Sequence, residues 1–185
     1  LDAAIELINQ SKRILLVSHR RPDGDTLGAS IALLLGLKKI GKNPIAACMD
    51  AVPSRLLFLG DLMPEGEKIV REFDLNNFDL IVISDAGASH MTGFHEKYPD
   101  FLSKKVPIIN LDHHFSNDNF GTVNVVDPKA SSATVVVWRL LKKMNIRLDR
   151  AMGLALMAGI YNDTGGFMHS NTTQETFEIA ADLAA

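Results

Sequence analysis

A chain of 185 residues, 46% apolar and 22% charged, has the size and composition of one soluble globular domain with its own core. Its net charge of −3 excludes a broad electrostatic footprint for duplex DNA, and no stretch reaches the roughly 18 consecutive apolar residues of a membrane span. The lone Cys48 excludes an intrachain disulfide, and its apolar neighbours predict a buried, inert thiol. No basic-then-apolar leader is present, so a cytoplasmic location is the expectation. Leu1 in place of an initiator methionine makes the chain read as part of a longer one.

The predicted elements alternate. A short amphipathic helix over 1–11 precedes a buried strand at 13–18. A helix follows from Thr26 to Ile40, then a strand from Asn43 to Met49 and a helical turn from Pro53 to Leu59. Strands at 79–84 and 106–111 flank a polar, helical segment near 91–102, and a further short strand spans Thr122 to Val126. The last third is helical: Ser132 to Met144, Asp149 to Tyr161 and Thr173 to Ala184. Apolar strands separated by helices predict an α/β fold. Its sheet is largely parallel and doubly wound, with helices on both faces and a helical C-terminal third. Trp138 and Tyr161 lie in apolar helical runs and are expected in the core.

Four segments carry chemistry. The first strand ends at Ser18-His19, and Arg20-Arg21-Pro22-Asp23-Gly24-Asp25 follows. Pro22 and Gly24 favour a tight turn that gathers one imidazole and two carboxylates at the strand's carboxyl end, where doubly wound sheets bind ligands. The third strand ends at Asp85 and the fourth at Asp112-His113-His114. Finally, the apolar helix before Asn162-Asp163-Thr164-Gly165-Gly166 ends in an acid. Alone, Asp-Gly-Asp, Asp85 and Asp163 read more readily as solvated turns or caps, whereas Asp112-His113-His114 reads more readily as ligands than as a surface histidine pair. Four such strand and helix ends on one α/β face are hard to explain by packing.

The mixed oxygen and nitrogen donors suit Mn²⁺, with Mg²⁺, Co²⁺ or Fe²⁺ as alternatives. A structural zinc site would use cysteines or a compact ligand pair. Two imidazoles and four carboxylates exceed the needs of one ion and match two ions bridged by a carboxylate.

These motifs resemble the DHH phosphoesterase superfamily, named for the triplet present here as Asp112-His113-His114. The resemblance runs from about His19 through Thr173. The wording at 19–25, 112–117 and 163–167 is most similar to the bacterial oligoribonuclease and 3′-phosphoadenosine-5′-phosphate phosphatase branch. The family's manganese pyrophosphatases usually carry Asn-Pro-Asp-Thr-Asp where this chain has Arg-Pro-Asp-Gly-Asp. The resemblance implies one ion held by His19, Asp23 and Asp85. It implies a second held by Asp25, Asp85, His113 and Asp163, with Asp85 bridging. His114 would face the substrate phosphate as leaving-group acid or charge stabiliser, and Asp112 would orient a histidine or water from behind. Asn117, Arg20 and Arg21 are expected at the substrate, whereas His90, His95 and His169 match no motif position.

The implied reaction is hydrolysis of a phosphoester in short oligonucleotides, dinucleotides or 3′-phosphoadenosine 5′-phosphate by a hydroxide held between two Mn²⁺ ions. Alternatives are a pyrophosphatase, a phosphodiesterase for cyclic-dinucleotide products, and a regulatory nucleotide-binding module without catalysis. A homodimer is compatible with the sequence. Family members continue into a smaller C-terminal domain with a glycine-rich segment that is not found in these residues. Residues 1–185 are therefore expected to be the catalytic domain alone, binding Mn²⁺ but turning over dinucleotides poorly.

Overall fold

The computed structural model describes residues 1–184; Ala185, the last residue of the expected domain, lies outside the described residues. Its frame is a five-stranded, wholly parallel sheet of β1 (Arg13–Val17), β2 (Asn43–Ala47), β3 (Leu80–Ser84), β4 (Ile108–Asp112) and β5 (Val123–Val126). The strand order is β2-β1-β3-β4-β5. The chain first winds outward from β1 to β2, then returns to the far side of β1 with β3. The crevice between the carboxyl ends of β1 and β3 is the switch point where such sheets bind ligands. Strands β3 and β4 are buried throughout, which explains their unbroken apolar runs.

The long helices α1 (Asp2–Gln10), α2 (Gly24–Lys39), α5 (Ala133–Lys143), α6 (Arg150–Asp163) and α7 (Gln174–Ala184) are joined by two single-turn helices, α3 (Leu57–Gly60) and α4 (Phe94–Lys97). Helices α2, α5 and α6 pack over Ile14, Leu16, Leu80, Val82, Ile109 and Leu111. The alternate residues Leu15, Val17, Ile81, Ile83 and Ile108 face a smaller core that includes Phe94 and Phe101, with Phe73 and Tyr98 packed against it. Phe73 and Tyr98 stack with centroids 4.6 Å apart. Helix α2 is buried almost all round, because α5 and α6 sandwich it against the sheet. Where α6 crosses α2, a Cβ on Gly159 would lie 2.5 Å from Asp25 Oδ1 and 2.4 Å from Thr134 Cγ2. That close approach requires glycine.

Three expectations change. The segment near 91–102 forms a 3₁₀ turn at Ser89–Thr92 and the four-residue α4, not one helix. Gly93, at φ 74°, separates the two, and Tyr98 is extended ahead of Pro99, as the residue before a proline prefers. Helix α6 runs two residues beyond Tyr161, so Asp163 is its last residue. Tyr161 is 61% exposed rather than in the core, and its ring meets Phe167 edge-on. Trp138 is half-buried against the main core, and Cys48 is fully buried with its thiol pushed up to about 11 by burial. No helix among the described residues is long and apolar enough to cross a membrane.

Candidate metal centre

The candidate site forms at the carboxyl ends of β1, β3 and β4. Asp23 caps α2, its Oδ1 accepting from the backbone N–H groups of Asp25 (3.0 Å) and Thr26 (3.1 Å), and this fixes the turn after His19. The Thr26 hydroxyl donates to the Ser84 carbonyl and accepts from the His19 N–H, tying β1 to β3 beside the crevice. Asp85 follows β3 in the left-handed region at φ 61°. A non-glycine residue held there stores about 1–3 kcal/mol of strain. Its N–H still reaches the Leu111 carbonyl at 2.9 Å, so the sheet fixes the strained residue in place.

Two imidazoles point into the crevice in the same way. His19 Nδ1 donates to the Arg20 carbonyl (2.7 Å) and His113 Nδ1 to the Ala130 carbonyl (3.3 Å). A carbonyl can only accept, so each ring leaves Nε2 as the free nitrogen, the arrangement of ligating histidines. His19 Nε2 lies 3.3 Å from Asp85 Oδ2 and 3.8 Å from Asp23 Oδ1. His113 Nε2 lies 3.0 Å from Asp163 Oδ2, 3.6 Å from Asp85 Oδ1 and 3.8 Å from Asp25 Oδ2. It is buried without an aligned hydrogen-bond partner.

Asp25 is fully buried at the start of α5, where it accepts from the N–H groups of Ala133 (2.6 Å) and Thr134 (2.9 Å). This places a negative charge on a helix N-terminus. Ser132 completes that cap by accepting from Val135 N–H. Asp112 Oδ1 accepts from His114 Nδ1 at 2.7 Å, turning Nε2 of the partly exposed His114 away from the carboxylate.

Charge is crowded here. Burial would lower His19 and His113, yet Asp85, with Asp23 or Asp163, raises them to about 9 and about 11. Burial and the neighbouring Asp85 and Asp163 push Asp25 well above the usual carboxylate range, and burial and Asp85 raise Asp23. Asp85 is opposed by burial but held low by both imidazoles. The hydrogen bond to Asp112 raises His114.

The structure brings together three overlapping sets of donors. These are His19, Asp23 and Asp85; Asp25, Asp85, His113 and Asp163; and Asp85, Asp112, His113 and His114. Within each set one ligand atom per residue lies within 4.8 Å of the others. The first two sets share Asp85, as a bridging carboxylate would. Hard carboxylates, imidazoles with a free Nε2 and an unpartnered buried nitrogen form a donor set that fits divalent cations.

The three residues expected at the substrate lie outside the donor sets. Asn117 has its amide fully engaged, donating to Asp112 Oδ2 (2.5 Å) and the Ala86 carbonyl and accepting from Asn110 Nδ2 and Asn119 N–H. It buttresses Asp112. Arg20 pairs with Glu96 at 2.9 Å, and Arg21 is left-handed at φ 52° with its N–H on Asp50. Neither belongs to the donor sets, nor do His90, His95 and His169. Sequence reasoning missed buried Asn110, which holds Asn117, and the N-terminus of α5, which holds Asp25. Only the polar residue inside the β4 run and the small Ser131-Ser132-Ala133-Thr134 step mark them in the sequence.

A parallel sheet with this carboxylate and imidazole edge carries the Asp112-His113-His114 triplet at the carboxyl end of β4. The chain belongs to the DHH family, whose N-terminal domain matches residues 13–160. It is 30% identical over 172 residues to the bifunctional oligoribonuclease and PAP phosphatase NrnA of Thermus thermophilus, covering 92% of this chain and 49% of that protein. It is 29% identical over 194 residues to the cyclic-di-AMP phosphodiesterase GdpP of Geobacillus thermodenitrificans, covering 97% of this chain and 29% of that protein. An exopolyphosphatase-related protein from Bacteroides fragilis shares the fold with a TM-score of 0.86 at 22% identity, covering 99% of this chain and 55% of its own. The chain thus spans about half the length of the NrnA proteins it matches, or less in the case of GdpP.

Proposed function

We propose that this domain carries the metal site of a phosphoesterase acting on short oligonucleotides, dinucleotides or 3′-phosphoadenosine 5′-phosphate. The observation that supports it best is the pair of donor sets sharing Asp85 at the switch point of the sheet. His19, Asp23 and Asp85 would hold one divalent cation, and Asp25, Asp85, His113 and Asp163 the other. Mn²⁺ suits the mixed donors, with Mg²⁺ or Co²⁺ as alternatives. Bound there, two such ions would supply Lewis-acid neutralisation of the phosphoryl oxygens and a water acidified toward neutral pH.

The chain's own groups supply the rest. Asp112 fixes the His114 tautomer and favours its charged form, so Nε2 is placed to protonate a leaving oxygen. Asn117 keeps Asp112 in position. The Asp85 backbone, held by the sheet, keeps the shared carboxylate where both imidazoles meet. Small nucleotides reach the solvent-facing edge of the sheet without needing a basic groove, in keeping with the net charge of −3. A cytoplasmic location accords with such substrates.

The GdpP relative supports a second reading, cleavage of cyclic-di-AMP. The test is turnover by the natural chain with Mn²⁺ on linear diadenylate, short RNA, 3′-phosphoadenosine 5′-phosphate, cyclic-di-AMP and pyrophosphate. Preference for the first three is expected. Preference for cyclic-di-AMP selects the second reading, and turnover of pyrophosphate alone would overturn both.

A further inference from the structure

Among the described residues, two large apolar side chains are more than four-fifths exposed: Phe115, at 93%, and Met168, at 84%. The next, Tyr161, is 61% exposed, and Leu57, Phe177, Phe58, Leu154, Ile45 and Ile40 follow between 57% and 40%. Scattered apolar surface is ordinary in a folded protein. Here the two extremes lie in the segments that follow two donors, His113 and Asp163, which meet at 3.0 Å. Phe115 directly follows His114, and Met168 comes five residues after Asp163.

The backbone beneath Phe115 is held firmly. Phe115 and Ser116 are the corner residues of a turn closed by the Asn117 N–H donating to the His114 carbonyl at 3.2 Å. Asn117 in turn is fixed by Asp112, Ala86 and Asn110. The same Asp112 carboxylate holds His114. The ring of Phe115 is 93% exposed, while its attachment point is tied to the imidazole assigned to the phosphate. A planar ring on a preorganised support loses little entropy on stacking.

We propose that Phe115 is the stacking platform for a nucleobase of the substrate, a specificity-determining contact that rests on the phosphoesterase reading above. Phe115 directly follows His114, the imidazole assigned to the phosphate. Polar Ser116, Asp118 and Asn119 surround it in sequence, and its planar ring, unlike the flexible Met168, offers a face on which a base can stack. Every base offers a π-face, so the contact admits nucleotides of any sequence and gives nothing to a phosphate lacking a base.

The test uses the natural chain with Mn²⁺ and compares kcat/KM for linear diadenylate with kcat/KM for the analogue in which one adenosine is an abasic ribose. Because Phe115 makes no core contact, its substitution spares the fold. Phe115→Ala and Phe115→Leu should lower that ratio about 5- to 100-fold, the span of a lost base–aromatic stack, and Phe115→Trp should restore it. A dinucleotide carrying 2-aminopurine should be quenched on binding the wild type and not Phe115→Ala, a readout independent of turnover. An unchanged ratio in Phe115→Ala, or rescue by Leu equal to that by Trp, overturns the platform while leaving the phosphoesterase reading intact. A wild type that hydrolyses neither compound overturns both.

Discussion

Two clusters of charge in this molecule are built on opposite principles. Arg139 on α5 donates from Nε and Nη2 to the two oxygens of Glu175 (2.8 and 2.5 Å) and from Nη1 to Asp127 (2.5 Å). Its fork thereby answers both carboxylates near the surface, and the cluster is complete in itself. At the sheet edge, five carboxylates and three imidazoles converge without such an answer. Burial opposes charge there, one acid (Asp25) is driven up while another (Asp85) is held down, and His113 Nε2 sits among three carboxylates without an aligned hydrogen bond. A charge cluster serving only stability settles its own pairings. One that leaves them unsettled is shaped for something that arrives from outside.

The sharpest way to break that contrast is at Asp85. Asp85→Asn keeps the shape and removes the shared charge, and calorimetric titration with Mn²⁺ should show affinity reduced more than about 100-fold, beyond the cost of losing an outer-shell partner. An affinity within tenfold of wild type would remove Asp85 from the metal centre.

Acidity separates the clusters next. The raised values of His19 and His113 mean that the folded chain holds those protons more tightly than the unfolded chain does. The stability this supplies is complete below the ordinary histidine value of about 6.5 and is lost as pH rises toward about 9 and about 11. Melting in excess chelator should therefore fall by several degrees between pH 6.5 and 10, at roughly 2–4 °C per kcal/mol for a chain of this size. With Mn²⁺ present, the trend should flatten or reverse, since cations compete with those protons. A chelated melting point that rises with alkalinity would contradict the assigned imidazole environments.

The smallest effect belongs to the self-satisfied cluster. Arg139→Ala should cost about 1 kcal/mol or less, diminishing in high salt, because its partners are part-exposed. Urea melts at low and high ionic strength check this, and Mn²⁺ titration of the same variant should match wild type.

The parallel sheet and most helices were legible in the sequence because the apolar runs of β1, β3 and β4 and the periodic helices have few other ways to bury themselves. The residues of the candidate metal centre were legible as a group because acids and histidines at strand ends have no packing role, and the fold does bring them together. What failed was the segment near 91–102, where polar residues mask an aromatic layer of Phe94, Tyr98 and Phe101, and a glycine and a proline confine the helix to one turn. The apolar run before Tyr161 suggests burial on every side, whereas α6 turns this residue to solvent. The resemblance puts Asn117 near the site, but its partners are not written in the sequence. Only three-dimensional hydrogen bonding shows that all its polar atoms are spent on its neighbours.

Gly159 touches no substrate, yet the absence of its side chain sets where a ligand sits. One methyl group there would fall 2.5 Å from Asp25 Oδ1, on the oxygen that accepts the Thr134 N–H. Helix α6 would then have to back away from α2, carrying Asp163 with it, or Asp25 would have to leave the end of α5. The seam between these helices thus works as a gauge block, machining the distance between acids from opposite ends of the chain. A mutation that a stability survey would file under crowding would reach the chemistry as a misaligned part.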